Sequence, residues 1–170
     1  MAETKPQSPD PRPAADSASI LVKWMGITDA NSAGFVHGGA VMKLCDEAAG
    51  LAALRHCGVR IVTAAMDRMT FLHPVYVGEL VTCRSQVNAV WKTSMEVGVR
   101  VEAESPRTGD IHATSTAYLT MVALDGDGKP APVPGLLVET DDERRRQREA
   151  GLRRANRLAE RDQILSGRAS

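Results

Sequence analysis

Residues 31–39 read Asn-Ser-Ala-Gly-Phe-Val-His-Gly-Gly and lead directly into Ala-Val-Met-Lys-Leu-Cys-Asp-Glu-Ala-Ala-Gly over 40–50. An asparagine and a glycine-rich turn thus precede a run of mostly small apolar residues in which Asp46 is the candidate catalytic acid. The first N–H groups of a helix lack partners within the helix and carry partial positive charge. The stretch predicts a carboxylate about two turns beyond a place where a carbonyl oxygen could be polarised. This combination favours chemistry on an acyl group.

The pattern from about Gly38 to His56 predicts a helix that is buried on most of its sides, because apolar residues cover most of its circumference. The alanines, together with Gly50, indicate that another element packs very close to this helix. Cys57-Gly58 supplies the helix stop. The apolar positions of the helix are Val41, Met42, Leu44, Cys45, Ala48, Ala49, Leu51, Ala52 and Ala53.

After the helix, the apolar residues recur with a period of two, which is typical of strands. Strands are predicted over 61–72, 80–91, 95–104 and 111–123, in addition to a short first strand over 18–25. The last three alternate apolar with polar residues and are joined by short connections, so they are predicted to pair as an antiparallel meander. A single apolar helix needs a sheet curved around it, and a second copy of the chain would cover the remaining face.

The two ends of the chain have a different composition from the middle. Residues 1–17 are polar and include four prolines by Asp16, so they predict a disordered lead-in that lacks the hydrophobic segment of a signal peptide. Residues 18–138 contain the predicted sheet and central helix, with a loop composition over 125–135. Residues 139–170 are rich in Arg and Glu, and predict a charged, mostly solvated helix and tail.

The overall composition excludes several classes of partner. The chain is 43% apolar and 25% charged, and 21 basic residues balance 21 acidic ones. A neutral chain has no general electrostatic reason to bind nucleic acid or a membrane surface, and no apolar run approaches the length of a membrane span. The three cysteines have no paired spacing; Cys45 and Cys83 are predicted to be small buried residues rather than metal ligands, which favours a reducing, cytoplasmic location.

Motifs spread from about Ile20 to about Arg154 carry a resemblance to a known family. They are Val36-His-Gly-Gly-Ala-Val-Met-Lys-Leu-Cys-Asp-Glu-Ala-Ala-Gly50, Arg55-His56-Cys57, Val62-Thr63-Ala64, Phe71, Pro74-Val75, Gly78, Thr93-Ser94-Met95-Glu96-Val97, and Pro132-Val133-Pro134 followed by Glu139 to Glu143. Together they resemble the cytosolic acyl-CoA hydrolases of the hotdog class, which include the brain-type enzyme with two tandem hotdog domains and short bacterial relatives. His-Gly-Gly with a downstream Asp is shared by several hotdog groups, whereas the longer combination is much more specific.

This resemblance implies an α+β hotdog fold, in which an antiparallel sheet wraps around one central helix, here with a C-terminal helix added. It also implies hydrolysis of fatty acyl-CoA to a free acid and CoA, with no metal and no bound cofactor. The family's active sites lie between two hotdog units, with an asparagine from one and a helix aspartate from the other. Asn31 and Asp46 occupy these positions, so the minimal unit is expected to be a homodimer, and the family's common higher assembly is a hexamer built as a trimer of dimers.

Asp46 and Asn31 each have a functional and an ordinary interpretation. The carboxylate of Asp46 would act as general base for a water or as nucleophile on the thioester carbonyl. The ordinary alternative is an ion pair with Lys43 or Arg55, and such surface pairs are common and weak. The amide of Asn31 would orient the water or the thioester, but an asparagine in this context also commonly stabilises a loop turn.

The remaining candidates concern the carbonyl oxygen and the CoA moiety. Gly38 and Gly39 are expected to offer helix N-terminal N–H groups as an oxyanion site, or simply to permit a tight turn. His37 either bonds within the turn or lies near the thioester. The residues that the resemblance places along a CoA groove are His37, Thr63, Lys92, Thr93, Ser94 and Met95, and further basic candidates for the CoA phosphates are Arg55, His56 and Arg100.

Two other functions are compatible with the same fold. The chain could bind acyl-CoA without turnover, an alternative that the presence of both Asn31 and Asp46 argues against. It could also hydrate an enoyl-CoA, but the hotdog hydratases use a histidine and an acid in a different arrangement, and no matching helix histidine is present in the sequence.

Overall fold

One helix, α1 (Gly38–Cys57), lies against a five-stranded antiparallel sheet in the computed structural model, which describes residues 9–168. The strands are β2 (Ser19–Trp24), β3 (Ile61–Met66), β4 (Leu80–Val90), β5 (Ser94–Glu104) and β6 (Ile111–Ala123). Their order across the sheet is β2-β4-β5-β6-β3, and β4, β5 and β6 form the predicted meander. The predicted hotdog arrangement of a sheet around one central helix is confirmed.

The helix α1 packs closely on the sheet because the side chains between them are small. Ala48, Ala49, Ala52 and Ala53 are fully buried, and the Ser85 hydroxyl on β4 donates to the Ala48 carbonyl at 2.7 Å. Gly58 has a φ of +68° and ends the helix, as predicted. The opposite face of the helix remains open in the single chain, where Met42, Leu51 and Leu54 are 40–48% exposed.

The alternation predicted for the strands is present in the sheet. On β5, every second residue points towards α1 and is fully buried, and these residues are Met95, Val97, Val99, Val101 and Ala103. The strand predicted over 61–72 is shorter than expected, because β3 ends at Met66. The next residue, Asp67, still donates its N–H to Tyr118 at 2.9 Å, but its carboxylate binds a side chain of the C-terminal helix and the chain continues as a loop to Glu79.

The disordered lead-in predicted over 1–17 is wrong for residues 12–17, while Met1 to Ser8 lie outside the described residues. The strand β1 (Arg12–Pro13) pairs in parallel with β7 (Leu136–Leu137), and a 3-10 turn follows it. Ser17 is fully buried in this turn, and its hydroxyl accepts the N–H of Val87 at 2.9 Å. Small side chains let this turn pack against α1 and β4, and a composition-based prediction misses that fit.

The C-terminal helix, α2 (Asp141–Arg168), begins two residues later than predicted and is not simply solvated. It lies on the outer face of the sheet, where Arg153 binds the fully buried Glu96 at 2.7 Å and stacks 3.6 Å from the ring centre of Tyr118. Removing one partner of such a buried pair is strongly destabilising, so this contact fixes α2 on the sheet. Neither helix of the described chain is both long and apolar enough to cross a membrane.

Candidate active site

Asp46 lies half-buried on α1 at the side that faces the edge strand β3. The hydroxyl of Thr63 on β3 donates to Asp46 Oδ1 at 2.5 Å, which fixes the carboxylate and leaves its second oxygen available. The ordinary alternative has no support, because Lys43 pairs with Glu47 at 3.8 Å and Arg55 donates to a backbone carbonyl. Within residues 9–168, Asp46 makes no ion pair. The carboxylate is therefore oriented without being neutralised.

Asn31 lies in the loop before α1, and its side-chain oxygen has the predicted loop-stabilising role. Its Oδ1 accepts the N–H groups of Ala33 at 2.9 Å and Phe35 at 3.2 Å. These bonds leave the Nδ2 amide group without a hydrogen-bond partner among the described residues, and Asn31 lines a cavity. The two interpretations of Asn31 are thus compatible, since the oxygen shapes the loop and the amide group makes no hydrogen bond to the described residues.

The start of α1 supplies one free N–H rather than the two that were predicted. His37 is the N-cap, and its Nδ1 accepts the N–H of Gly39 at 3.1 Å. The predicted role of Gly39 as an oxyanion donor is therefore not supported, because its N–H is already engaged by the cap. The N–H of Gly38 has no hydrogen-bond partner in the part of the chain that the structure describes. For His37, the turn interpretation is the one that the structure shows.

A cavity of about 370 Å³ adjoins this free N–H. Asn31 and Gly38 line it together with the loop segment from Phe71 to Val75. A Cβ atom on Gly38 would lie only 3.4 Å from the Phe71 ring, so glycine allows the ring to approach the helix start closely. Leu72 and His73 also line the cavity. Neither is among the predicted site residues, because Leu72 belongs to the predicted strand over 61–72 and His73 belongs to no motif.

Asp46 does not line the cavity that Asn31 lines in the same chain. Asp46 is eight residues beyond Gly38, which corresponds to about 12 Å along the helix axis. Neither Asp46 nor Thr63 lines the cavity that contains Asn31. One chain therefore presents two separate parts, a cavity with Asn31 and Gly38 and an exposed edge with Asp46 and Thr63.

The other residues predicted for CoA binding lie apart from Asp46. Met95 occupies an inward position of β5, where it is fully buried and its sulfur lies 3.9 Å from Cys57 Sγ, so its side chain is not exposed to a ligand in the single chain. Lys92 and Thr93 lie in the turn between β4 and β5, and Ser94 is the first residue of β5. That turn is separated from β3 by β6, a distance of about 10 Å across two strand spacings.

The cysteine next to Asp46 is not a candidate nucleophile. The Cys45 thiol forms a hydrogen bond with Cys83, and this bond together with burial raises the pKa of Cys45 far above its ordinary value. Since the thiolate is the reactive form, this thiol is inert. Both residues are fully buried, as the sequence predicted. The described residues contain no cluster of three or more His, Cys, Asp or Glu that could hold a metal ion.

Comparison with known proteins identifies the family. Residues 33–109 match the family model described as "Thioesterase superfamily". An uncharacterised acyl-CoA thioester hydrolase of Bacillus subtilis is 37% identical over 137 residues, which are 81% of this chain and 80% of that protein. The chain belongs to the thioesterase superfamily. The cytosolic acyl coenzyme A thioester hydrolase of Rattus norvegicus is 38% identical over 141 residues, and these cover 82% of this chain but 37% of the rat protein.

Solved structures of other thioesterase superfamily members have the same fold. A hexameric acyl-CoA thioesterase is 35% identical with a TM-score of 0.85, over 89% of this chain and 97% of that one. The acyl-CoA hydrolase of Staphylococcus aureus, in complex with butyryl-CoA, CoA and CoA disulfide, is 30% identical with a TM-score of 0.82. The match covers 94% of this chain and 99% of that one.

Variants of the Staphylococcus aureus protein have also been solved, in which an aspartate, an asparagine or a threonine is replaced by alanine. The asparagine of that protein precedes its aspartate by 15 residues, and the threonine follows the aspartate by 17. Asn31, Asp46 and Thr63 have the same separations in this chain.

Proposed function

We propose that this protein is an acyl-CoA thioesterase that hydrolyses fatty acyl-CoA to a free fatty acid and CoA. The observation that carries the proposal is the carboxylate of Asp46, which Thr63 orients and with which no cation of residues 9–168 forms an ion pair. Its spacing from Asn31 and Thr63 matches the three residues replaced in the Staphylococcus aureus acyl-CoA hydrolase. The names of the relatives support the same reaction and the same class of substrate.

In the proposed reaction, Asp46 activates the attack on the thioester carbonyl. As general base, its free oxygen takes a proton from a water molecule, and the water oxygen forms a bond to the carbonyl carbon. The N–H of Gly38 stabilises the negative charge that develops on the carbonyl oxygen. The carbon–sulfur bond then breaks, and the CoA sulfur takes the proton that Asp46 accepted, which restores the carboxylate. As nucleophile, Asp46 would attack the carbon itself and displace the CoA thiolate as the carbon–sulfur bond breaks. Water would then hydrolyse the anhydride, which releases the fatty acid, restores the carboxylate and supplies the proton that the thiolate takes. Neither route needs a metal or a bound cofactor.

The complete site is proposed to form between two chains, with Asn31 and Gly38 from one and Asp46 and Thr63 from the other. The strand β3 supports this arrangement, since no other strand of the described chain pairs with its outer edge. An unpaired strand edge readily binds another chain. Apolar side chains flank that edge, and Leu51, Leu54 and Val62 are 38–48% exposed in the single chain. A second copy placed here would cover this surface and bring its own cavity towards Asp46.

A hexamer needs a second kind of contact in addition to the dimer contact. Hexameric members of the family support this assembly. The candidate surface is the outer face of the edge strand β2, where Ile20, Val22 and Trp24 are 54–71% exposed on alternate positions. These three residues are called the β2 stripe, and the trimer of dimers is proposed to form through it.

The substitution Val22→Arg is expected to divide a hexamer into dimers, because a charge would be buried in an apolar contact without a partner. The mass measured by light scattering should fall by a factor of about three. Ile164→Arg is the matched control, since Ile164 is equally exposed but lies on α2, and its mass should not change. A Val22→Arg protein that keeps the mass of the wild type would show that the β2 stripe is not the contact.

The cytoplasmic location predicted from the sequence stays a prediction. It is supported by three free cysteines and by the name of the cytosolic rat relative. Immunoblotting of separated cytosolic, membrane and secreted fractions would test it.

The proposed activity is tested by thiol release from acyl-CoAs that range from acetyl-CoA to palmitoyl-CoA. We expect the wild-type protein to release CoA, with a preference among chain lengths that reflects the depth of the acyl pocket. Binding of acyl-CoA without any release would instead favour the non-catalytic binding protein. Hydration of an enoyl-CoA without thiol release would favour the hydratase.

A further inference from the structure

The loop between β3 and β4 forms one wall of the cavity beside Asn31 and Gly38. Five of the ten residues that line this cavity come from the loop segment 71–75. The side chains of Phe71, Leu72 and Val75 are apolar, and the Phe71 ring lies close to the start of α1. With the thioester carbonyl at the N–H of Gly38, the acyl chain would lie against this wall. The position of the loop would then set the room available to the acyl chain.

The beginning of the loop is anchored to α2 by an ion pair. Arg157 Nη1 donates to both carboxylate oxygens of Asp67, at 2.7 and 3.0 Å. Both side chains are largely withdrawn from water, with 26% and 20% of their surface exposed. Asp67 directly follows β3 and precedes Phe71 by four residues. The contact therefore connects the outer helix to the segment between Thr63 and the cavity wall.

The far half of the loop is held by backbone bonds that do not involve α2. The N–H of Leu72 donates to Thr114 at 2.8 Å, and the N–H of Val36 donates to Val75 at 2.9 Å. The ion pair at Asp67 thus holds the backbone from the end of β3 to Phe71. The two backbone hydrogen bonds hold the part of the loop that follows Phe71.

We propose that Arg157 is a positioning residue for the acyl pocket. By holding Asp67, it fixes the loop so that Phe71 closes the cavity at Gly38, and it thereby sets the selectivity for acyl chain length. This inference rests on the proposed thioesterase function and extends it, because it assigns to the C-terminal helix a part in substrate selection. Arg157 itself lies outside the cavity and acts through the loop.

The chain contains a matched pair for comparison. Arg68 and Glu160 connect the same loop to the same helix at 2.9 Å, but their side chains are 90% and 58% exposed. Exposed ion pairs contribute little, whereas loss of Arg157 would leave the carboxylate of Asp67 partly buried without its cation. If substitution of Arg157 has a larger effect than substitution of Arg68, the effect would therefore come from loss of the Asp67–Arg157 ion pair and not from removal of an arginine in general.

The test compares Arg157→Met with Arg68→Met in thiol release across chain lengths. We expect kcat/KM for palmitoyl-CoA to fall about tenfold in Arg157→Met, and that for acetyl-CoA less than about threefold, because a displaced wall affects the long chain most. In Arg68→Met, kcat/KM for both substrates should stay within about twofold of the wild-type value. Arg157→Lys should restore much of the preference, since one nitrogen of the arginine makes both contacts and an ammonium can replace it.

Hydrogen exchange of residues 67–75 provides a readout that does not depend on activity. Exchange should be faster in Arg157→Met than in wild type or Arg68→Met. An unchanged chain-length preference in Arg157→Met, or a uniform loss for every substrate, would overturn the positioning role. Absence of thiol release by the wild type would overturn the proposed function, and the exchange rates would still show whether Arg157 anchors the loop.

Discussion

Replacing Asp46 by alanine is expected to lower kcat for acyl-CoA hydrolysis by roughly a thousandfold, because the reaction loses its general base or nucleophile. Binding of acyl-CoA should change little, since the carboxylate acts on the reacting carbon and does not hold the CoA moiety. The folded state should persist, because Asp46 is half-buried and makes one side-chain hydrogen bond, to Thr63. Steady-state thiol release, together with thermal unfolding of both proteins, measures these effects.

Two further variants separate the chemistry from the structure. Asp46→Asn keeps an oxygen that can accept the bond from Thr63 but removes the negative charge, so it should be as inactive as Asp46→Ala. Glu47→Ala removes the neighbouring acid, which is exposed and pairs with Lys43, and its activity should stay within about twofold of wild type. An Asp46→Ala protein that folds and retains more than about a tenth of the wild-type kcat would contradict the proposed role of Asp46.

The central helix and the meander were predictable because their signals are local and periodic. The small apolar residues of α1 indicate that another element packs close to the helix. The alternation on β5 indicates which of its residues, including Met95, face the core. The same alternation directs the side chain of Met95 inwards, since Met95 shares its face with Val97 and Val99. The likeness of the short segment around Met95 to the family does not show on which face of the strand a side chain lies.

Parts of the site depend on contacts that no local pattern contains. A histidine before two glycines does not reveal which N–H its ring will accept, and the bond from Gly39 to His37 removes one of the two predicted donors. The bond between Thr63 and Asp46 joins an edge strand to the helix 17 residues earlier, and it depends on how the sheet curls. The anchor between Asp67 and Arg157 spans 90 residues and has no sequence signature.

Mixing two inactive variants tests whether the site is shared between chains. Asn31→Asp keeps the oxygen that accepts from Ala33 and Phe35 but replaces the free amide group, so the loop should persist while the function of the amide is lost. Asp46→Ala lacks the carboxylate. Each protein alone should be nearly inactive, whereas co-expression of both should restore about a quarter of the wild-type sites.

The quarter follows from the geometry of a two-fold dimer. When the two variants are produced in equal amounts, half of the dimers are mixed, and each mixed dimer has one site with both substitutions and one with neither. If Asn31 and Asp46 instead acted within the same chain, every site would carry one substitution and no activity would return. Co-expression of Asp46→Ala with Asp46→Asn is the control, because no pairing of these two restores a carboxylate. Recovery in the first mixture but not in this control would place Asn31 and Asp46 on opposite sides of one subunit interface.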